Sequence, residues 1–227
     1  LRTKEDLAGK IGARFEADST EVIRFLSSND SLAPYQLDTN TVMTVFIPNS
    51  YLCWWNGPFK KLFERLKKQH DYFWDGTRTE KAKAKGMSPE QIYTIASIVE
   101  EETNMPEDKG KIASVYFNRL NKGMKLEADP TVKYAMRNFE LKRILHGHLT
   151  YPSEYNTYFK TGLPPGPICI PSISTIDAVL DAPKTDFIFF VAKPDFSGYS
   201  NFASTYKEHL TFAKAYQKAL DSLMAGK

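Results

Sequence analysis

Cysteine is scarce in this sequence. Cys53 and Cys169 are the two in 227 residues. They stand in unrelated apolar contexts, Tyr51-Leu52-Cys53-Trp54-Trp55 and Ile168-Cys169-Ile170, with no CxxC spacing. That argues against a zinc site and makes buried free thiols the expectation, with a disulfide between them left open. No run of about 18 apolar residues occurs, so no membrane-spanning helix is expected. The chain starts at Leu1 without a charged-apolar-small signal pattern, which reads as an excised or processed fragment. Net charge is also small: 30 Lys and Arg against 27 Asp and Glu give +3. A charge this low, with no basic run interleaved with stacking aromatics, argues against nucleic acid. Lys81, Lys83 and Lys85 are Ala-spaced and read as a solvated segment. There is no G-x-S-x-G, no H-E-x-x-H and no Gly-rich phosphate loop. His146 and His148 flank a glycine and lack a helical ligand partner. No metal and no cofactor are expected.

What is present is ordinary globular material, 42% hydrophobic and 25% charged. Thr3 caps a first helix carrying Leu7, Ile11 and Phe15 at helical spacing. Ser19 or Thr20 caps a second. Thr41 to Ile47 is β-branched and reads as a strand, and Tyr51 to Trp55 as strand-like. Phe59 to Phe73 has Leu62, Phe63, Leu66 and His70 on one helical side. Residues 75–87 are polar and read as a loop. Ser88-Pro89-Glu90-Gln91 is a capping box that opens a helix ending near Thr103. A further helix follows Pro106, and a turn at Leu126 to Val132 leads into a short one. Residues 147–172 form a long loop rich in proline and tyrosine, whose length points to a functional role. Ser174 caps the next helix. Phe187 to Val191 and Tyr199 to Ala203 read as strands, and a closing helix runs from about Ser204 to Leu223. The expected fold class is α+β, mainly helical with a few short strands. A small N-terminal subdomain at 1–45 precedes a main domain at 46–227.

The helix after Ser88 holds the candidate chemistry. On a helical wheel Ile92, Ile95, Ala96, Val99 and Thr103 share one side. Glu101 faces away, towards water. Glu100 and Glu102 fall at the edges of the apolar side, where partial desolvation raises a carboxyl's pKa towards a general acid's working range. On the residues alone, such a run at a helix end also reads as a solvated face. Asp129, Tyr155, Asn156, Thr157, Tyr158 and Asn201 add hydroxyls, amides and aromatic faces of the kind a sugar groove uses. Asn156 could equally satisfy loop backbone, Asp129 could form only a turn before Pro130, and His209 reads as packing or surface.

Five ordered stretches then add a resemblance. They are Ala96-Ser97-Ile98-Val99-Glu100-Glu101-Glu102-Thr103; Ala113 to Leu120; Gly123 to Val132; Tyr155-Asn156-Thr157-Tyr158 with Thr161 to Ile168; and Phe189 to Ala192 with Asn201 to His209. Together they resemble the endolytic murein transglycosylase family, the YceG/MltG-like proteins. The resemblance implies cleavage between N-acetylmuramic acid and N-acetylglucosamine with a 1,6-anhydro product. It implies Glu100 as the acid and base, with Glu102, Asp129, Tyr155, Asn156, Thr157 and Asn201 as groove residues. Under it, Glu100→Gln abolishes cleavage. It implies a peptidoglycan glycan substrate and a link to the cell-wall synthesis machinery. The location would be the outer face of the cytoplasmic membrane, reached through an anchor absent from this chain. Residues 1–45 would be part of a LysM-like region. The family's Lys between the two glutamates is Glu101 here. A hydrolytic muramidase and a non-catalytic peptidoglycan-binding protein are the alternatives.

Overall fold

The structure, a computed structural model, describes residues 1–225. Helices α1 (Lys4–Gly12), α2 (Ser19–Leu26) and α3 (Asn29–Leu32) open the chain. Thr3 and Asp6 form a reciprocal capping box on α1, and Asp18, rather than Ser19 or Thr20, caps α2. The strand expected at Thr41–Ile47 is instead a 3-10 turn, Val42–Val45. The Asp38 side chain accepts from the backbone N–H of Asn40 and Thr41 and nucleates a turn, while Val42 and Val45 are buried. Local capping and packing outweigh β propensity here. Residues 51–55, expected as strand-like, have no regular secondary structure and pair with no strand among the described residues.

Helix α4 (Phe59–Phe73) follows, as its apolar spacing predicts. The polar stretch expected as a loop contains helix α5 (Thr77–Ala84). Its one buried side chain, Ala82, is too weak a signal to read from sequence. Tertiary pairing holds it: Arg78 binds both oxygens of Asp177 at 2.8 and 3.1 Å.

Helix α6 (Pro89–Glu102) is the centre of the main core and is buried on all sides from Ile92 to Val99. Helices α7 (Pro106–Asn121), α8 (Asp129–Ala135) and α10 (Ile173–Leu180) pack on it, with the short α9 (His146–Leu149) between the last two. Ser172, not Ser174, caps α10. Strands β1 (Phe189–Ala192) and β2 (Ser200–Ala203) form an antiparallel hairpin in the register Val191 opposite Asn201. Helix α11 (Tyr206–Ala225) closes the chain against it. The mainly helical α+β class is what the sequence predicts.

Polar atoms of α6 pin the proline-rich loop. Ser97 Oγ accepts from the Ile168 N–H at 3.0 Å, and Cys169 Sγ donates to the Ser97 carbonyl at 3.3 Å. Gly166 passes so close to Asn40 that a Cβ there would collide with its carbonyl. A second core gathers Leu7, Val22, Leu26, Val42 and Val45 with Phe59 and Phe63 of α4. Packing of the N-terminal residues therefore runs past residue 45. The Tyr93 hydroxyl joins the two cores by donating to the Phe46 carbonyl at 2.8 Å.

Candidate active site

Successive residues turn by about 100° on a helix, so Glu100 and Glu102 leave α6 on nearly opposite sides. Their surroundings separate them chemically. Glu100 accepts from Lys109 Nζ at 2.9 Å, from Ser172 Oγ at 3.1 Å and from Thr175 Oγ1. Burial alone would raise its pKa. The Thr175 and Lys109 bonds, the lysine charge and the Ser172 bond outweigh burial and hold it below the ordinary value. The start of α10 adds a favourable helix dipole. The expected rise in pKa at Glu100 is therefore not seen, and its carboxylate ties α6 to α7 and α10.

Glu102 has the opposite environment. Burial pushes its pKa up to about 7, ahead of the Tyr116 hydrogen bond, which favours the charged form, and the Asp129 charge adds to the rise. The fully buried Tyr116 hydroxyl donates to Oε1 at 2.7 Å. Oε2 has no protein partner among the described residues. Glu102 lines a cleft of about 320 Å3 with Asp129, Pro130, Lys133, Lys142 and Arg143. A carboxyl that titrates near neutrality and keeps one oxygen free can give and retake a proton. Glu101 does not face open water as expected. It forms a forked ion pair with Arg2, the shortest contact being 2.7 Å.

Asp129 stands in the first turn of α8, and Tyr158 Oη donates to its Oδ1 at 2.8 Å. The turn that delivers it is strained, with Glu127 at φ 54°. Glu127 N–H donates to the Thr157 carbonyl at 3.2 Å, and its carboxylate takes Arg119 at 2.9 Å. These bonds hold a conformation that a non-glycine residue rarely adopts.

A larger hollow of about 900 Å3 lies near the other end of α6, lined by Asp38, Glu90 and Gln91 among others. Twelve residues of helix separate Glu90 from Glu102, about 18 Å. None of the residues expected at the site lines it.

Residues 2–215 match the YceG-like family. The chain belongs to the YceG-like family. An endolytic murein transglycosylase of Bacillus subtilis is 40% identical over 170 residues, 74% of this chain and 45% of that protein. One from Streptococcus pneumoniae serotype 2 is 36% identical over 114 residues, 48% of this chain and 21% of that protein. The chain thus spans less than half the length of these relatives. A crystal structure of a yceG-like protein from Listeria monocytogenes has the same fold, with a TM-score of 0.77 at 27% identity. The match covers 92% of this chain and 72% of that one.

In this YceG-like chain the other expected groove residues have different placements. Asn156 is fully buried. Its amide donates to the carbonyls of Leu149 and Tyr151 at 3.0 and 2.8 Å, and its oxygen accepts from Tyr158 N–H at 3.0 Å. Thr157 is buried too. Its Oγ1 accepts from Ala128 N–H at 3.0 Å and bonds Thr131 Oγ1 at 2.8 Å. Both side chains therefore shape loops instead of facing a groove, which corrects that expectation. Tyr155 turns to Tyr134, with ring centroids 4.8 Å apart, and to Asn40 at 3.4 Å. Asn201 sits in β2 and does not line the Glu102 cleft. Asp129 and Glu102 alone of the expected set share that cleft. Sequence reasoning missed Tyr116 and Arg119 as site-builders, although both lie in a motif that carries the family resemblance. Lys142 and Arg143 lie in an aperiodic stretch that offered no signal.

Glu100→Gln tests the structural role of Glu100. It should lower stability by about 1–2 kcal/mol, because the buried end of Lys109 loses its charged partner. Because the folded pKa is lowered, the wild-type contribution is present above the ordinary value of 4.5 and is lost as pH falls. Urea denaturation at neutral and acidic pH should show the two proteins converging at low pH. A constant gap would contradict this role.

Proposed function

We propose that this chain is an endolytic peptidoglycan lytic transglycosylase, with Glu102 rather than Glu100 as its acid and base. The observation that carries this reading is the Glu102 carboxyl, raised to about 7 in a polar cleft with one oxygen unpartnered. The names and identities of the two bacterial relatives support peptidoglycan as the substrate.

The protonated carboxyl would donate to the oxygen that links N-acetylmuramic acid to N-acetylglucosamine, and that bond would break. The resulting carboxylate would then take the proton of the muramoyl 6-hydroxyl as its oxygen attacks C1. The proton returns to Glu102 and a 1,6-anhydro ring closes. Tyr116 holds the carboxyl's orientation throughout. Asp129 supplies negative charge beside the carbocation-like sugar that forms between the two steps. Lys133, Lys142 and Arg143 line the same cleft and would meet acidic groups of the glycan's side substituents. Such a substrate places the reaction in the cell envelope.

Hydrolysis is the second reading, because Asp129 lines the same cleft and a second carboxylate could activate water. Mass spectrometry of products released from purified peptidoglycan separates the two. Anhydromuramoyl ends are expected, and reducing ends would replace this reading with the hydrolytic one. The pH profile adds a further check. The acid form does the first step, so kcat/KM should fall as pH rises through about 7. A rate that keeps rising well above pH 7 would remove Glu102 from the role.

A further inference from the structure

Residues 51–55 alternate in and out. Tyr51 and Cys53 turn inward and line an apolar hollow of about 610 Å3 with Leu7, Ile11 and Leu66. Leu52 and Trp54 point away and are 86% and 82% exposed, and Trp55 follows at 64%. The segment is fixed at both ends. Tyr51 Oη donates to the Ile47 carbonyl at 2.6 Å, and Glu16 N–H donates to the Trp55 carbonyl at 2.8 Å. Three large apolar side chains within four residues, held out on a fixed base, form a projecting tip. A patch of this kind marks an interaction surface more often than scattered single side chains do.

The neighbouring charge identifies the partner's chemistry. A hollow of about 400 Å3 runs from Cys53 and Trp54 to α4, where Lys61, Arg65 and Lys68 line it. These positions are spaced i, i+4 and i+7 and share one face of the helix. Tyr72, four residues further along the same face, is 79% exposed. Glu64 is the acid lining this hollow, and it is engaged by Tyr35 Oη at 3.0 Å.

We propose that this face binds the surface of a bilayer that contains anionic lipid. Tryptophan and tyrosine rings settle at headgroup depth, because one edge is polar and the rest apolar. Lysine and arginine beside them can lay their stems on the apolar region and keep their charges among lipid phosphates. A narrow Leu-Cys-Trp-Trp tip enters a soft phase more readily than it fits a rigid sugar, which needs a walled platform for its ring. The tip sits beside the N-terminal core through the hollow that Tyr51 and Cys53 line with Leu7 and Leu66, whereas Tyr116 beneath the Glu102 cleft belongs to the main core, so the surface is separate from the cleft.

The test is sedimentation of the whole chain with phosphatidylcholine vesicles, with and without phosphatidylglycerol. Tryptophan fluorescence is read alongside, since Trp74 is buried and gives a constant background. Binding and a blue shift are expected only with the anionic vesicles. Each basic side chain near such a surface contributes roughly a fivefold factor, so a Lys61→Ala, Arg65→Ala, Lys68→Ala triple variant should bind about a hundredfold more weakly. Trp54→Ala with Trp55→Ala should remove the blue shift while leaving the thermal melt nearly unchanged, since both side chains are mostly exposed. Equal binding to both vesicle types, no binding to either, or unaltered binding by both variants would overturn the proposal. So would competition by soluble peptidoglycan fragments, which would make the face a glycan platform.

Discussion

Glu102→Gln is expected to lower peptidoglycan cleavage by about three orders of magnitude or more, the range lost when a general acid and base is removed. The amide keeps the shape of the carboxyl and can still accept from Tyr116, so the fold should persist. It cannot supply a proton to the leaving oxygen or take one from the attacking hydroxyl. A stability change should accompany the loss and separates this effect from simple unfolding. Glu102 has a folded pKa of about 7 against an ordinary 4.5. Between those values the folded state keeps a proton that the unfolded state has released. Wild-type stability therefore falls as pH rises through that window, and the cost stays in full above it. The glutamine variant lacks this cost and should be the more stable protein above pH 7. Product release and urea denaturation of both proteins at pH 5 and 8 would check the pair of effects. An active Glu102→Gln together with an inactive, well-folded Glu100→Gln would return the acid and base role to Glu100.

Arg119→Met should be the most damaging change outside the cleft. The guanidinium is buried and donates to the Ile188 carbonyl at 2.8 Å, to Lys125 at 3.2 Å and to Leu126 at 2.9 Å, besides its pair with Glu127. It also lies over the Phe189 ring, 5.4 Å from the centroid. Methionine replaces the stem and leaves those carbonyls without their donor. A loss of about 3 kcal/mol is expected. Cleavage should fall as well, because the same bonds hold the 125–128 turn that delivers Asp129. Arg119→Lys should recover only part of the stability, since an ammonium cannot span carbonyls on two sides as the planar fork does. The urea midpoint reads the first effect directly. A shift equivalent to less than 1 kcal/mol would show that the turn is held by other means, with Thr157 the obvious candidate.

Local signals were legible wherever one short stretch decided the outcome. The Ser88–Gln91 capping box, the apolar stripe of α4 and the β1 strand all form where their patterns predict. Thr41–Ile47 misled because β-branched composition is a weak signal beside a turn nucleated by Asp38 and a core that buries Val42 and Val45. Helix α5 was invisible because its stability comes from partners about a hundred positions away, chiefly Asp177. Asn156 and Thr157 looked like groove residues because their polarity was evident and their backbone partners were not.

The sequence by itself determined the family, the mainly helical class and the three adjacent glutamates at the end of α6. Composition, capping and motif order suffice for those, because each is a property of neighbouring residues. The different environments of the two glutamates come only from tertiary structure. On the wheel Glu100 and Glu102 are near-equivalent edge positions. In the fold one meets a lysine and two hydroxyls brought from α7 and α10, and the other meets a buried tyrosine and a second carboxylate brought from α7 and α8. A pKa depends on what surrounds the charge in space, and those surroundings come from segments up to 75 residues away in the chain.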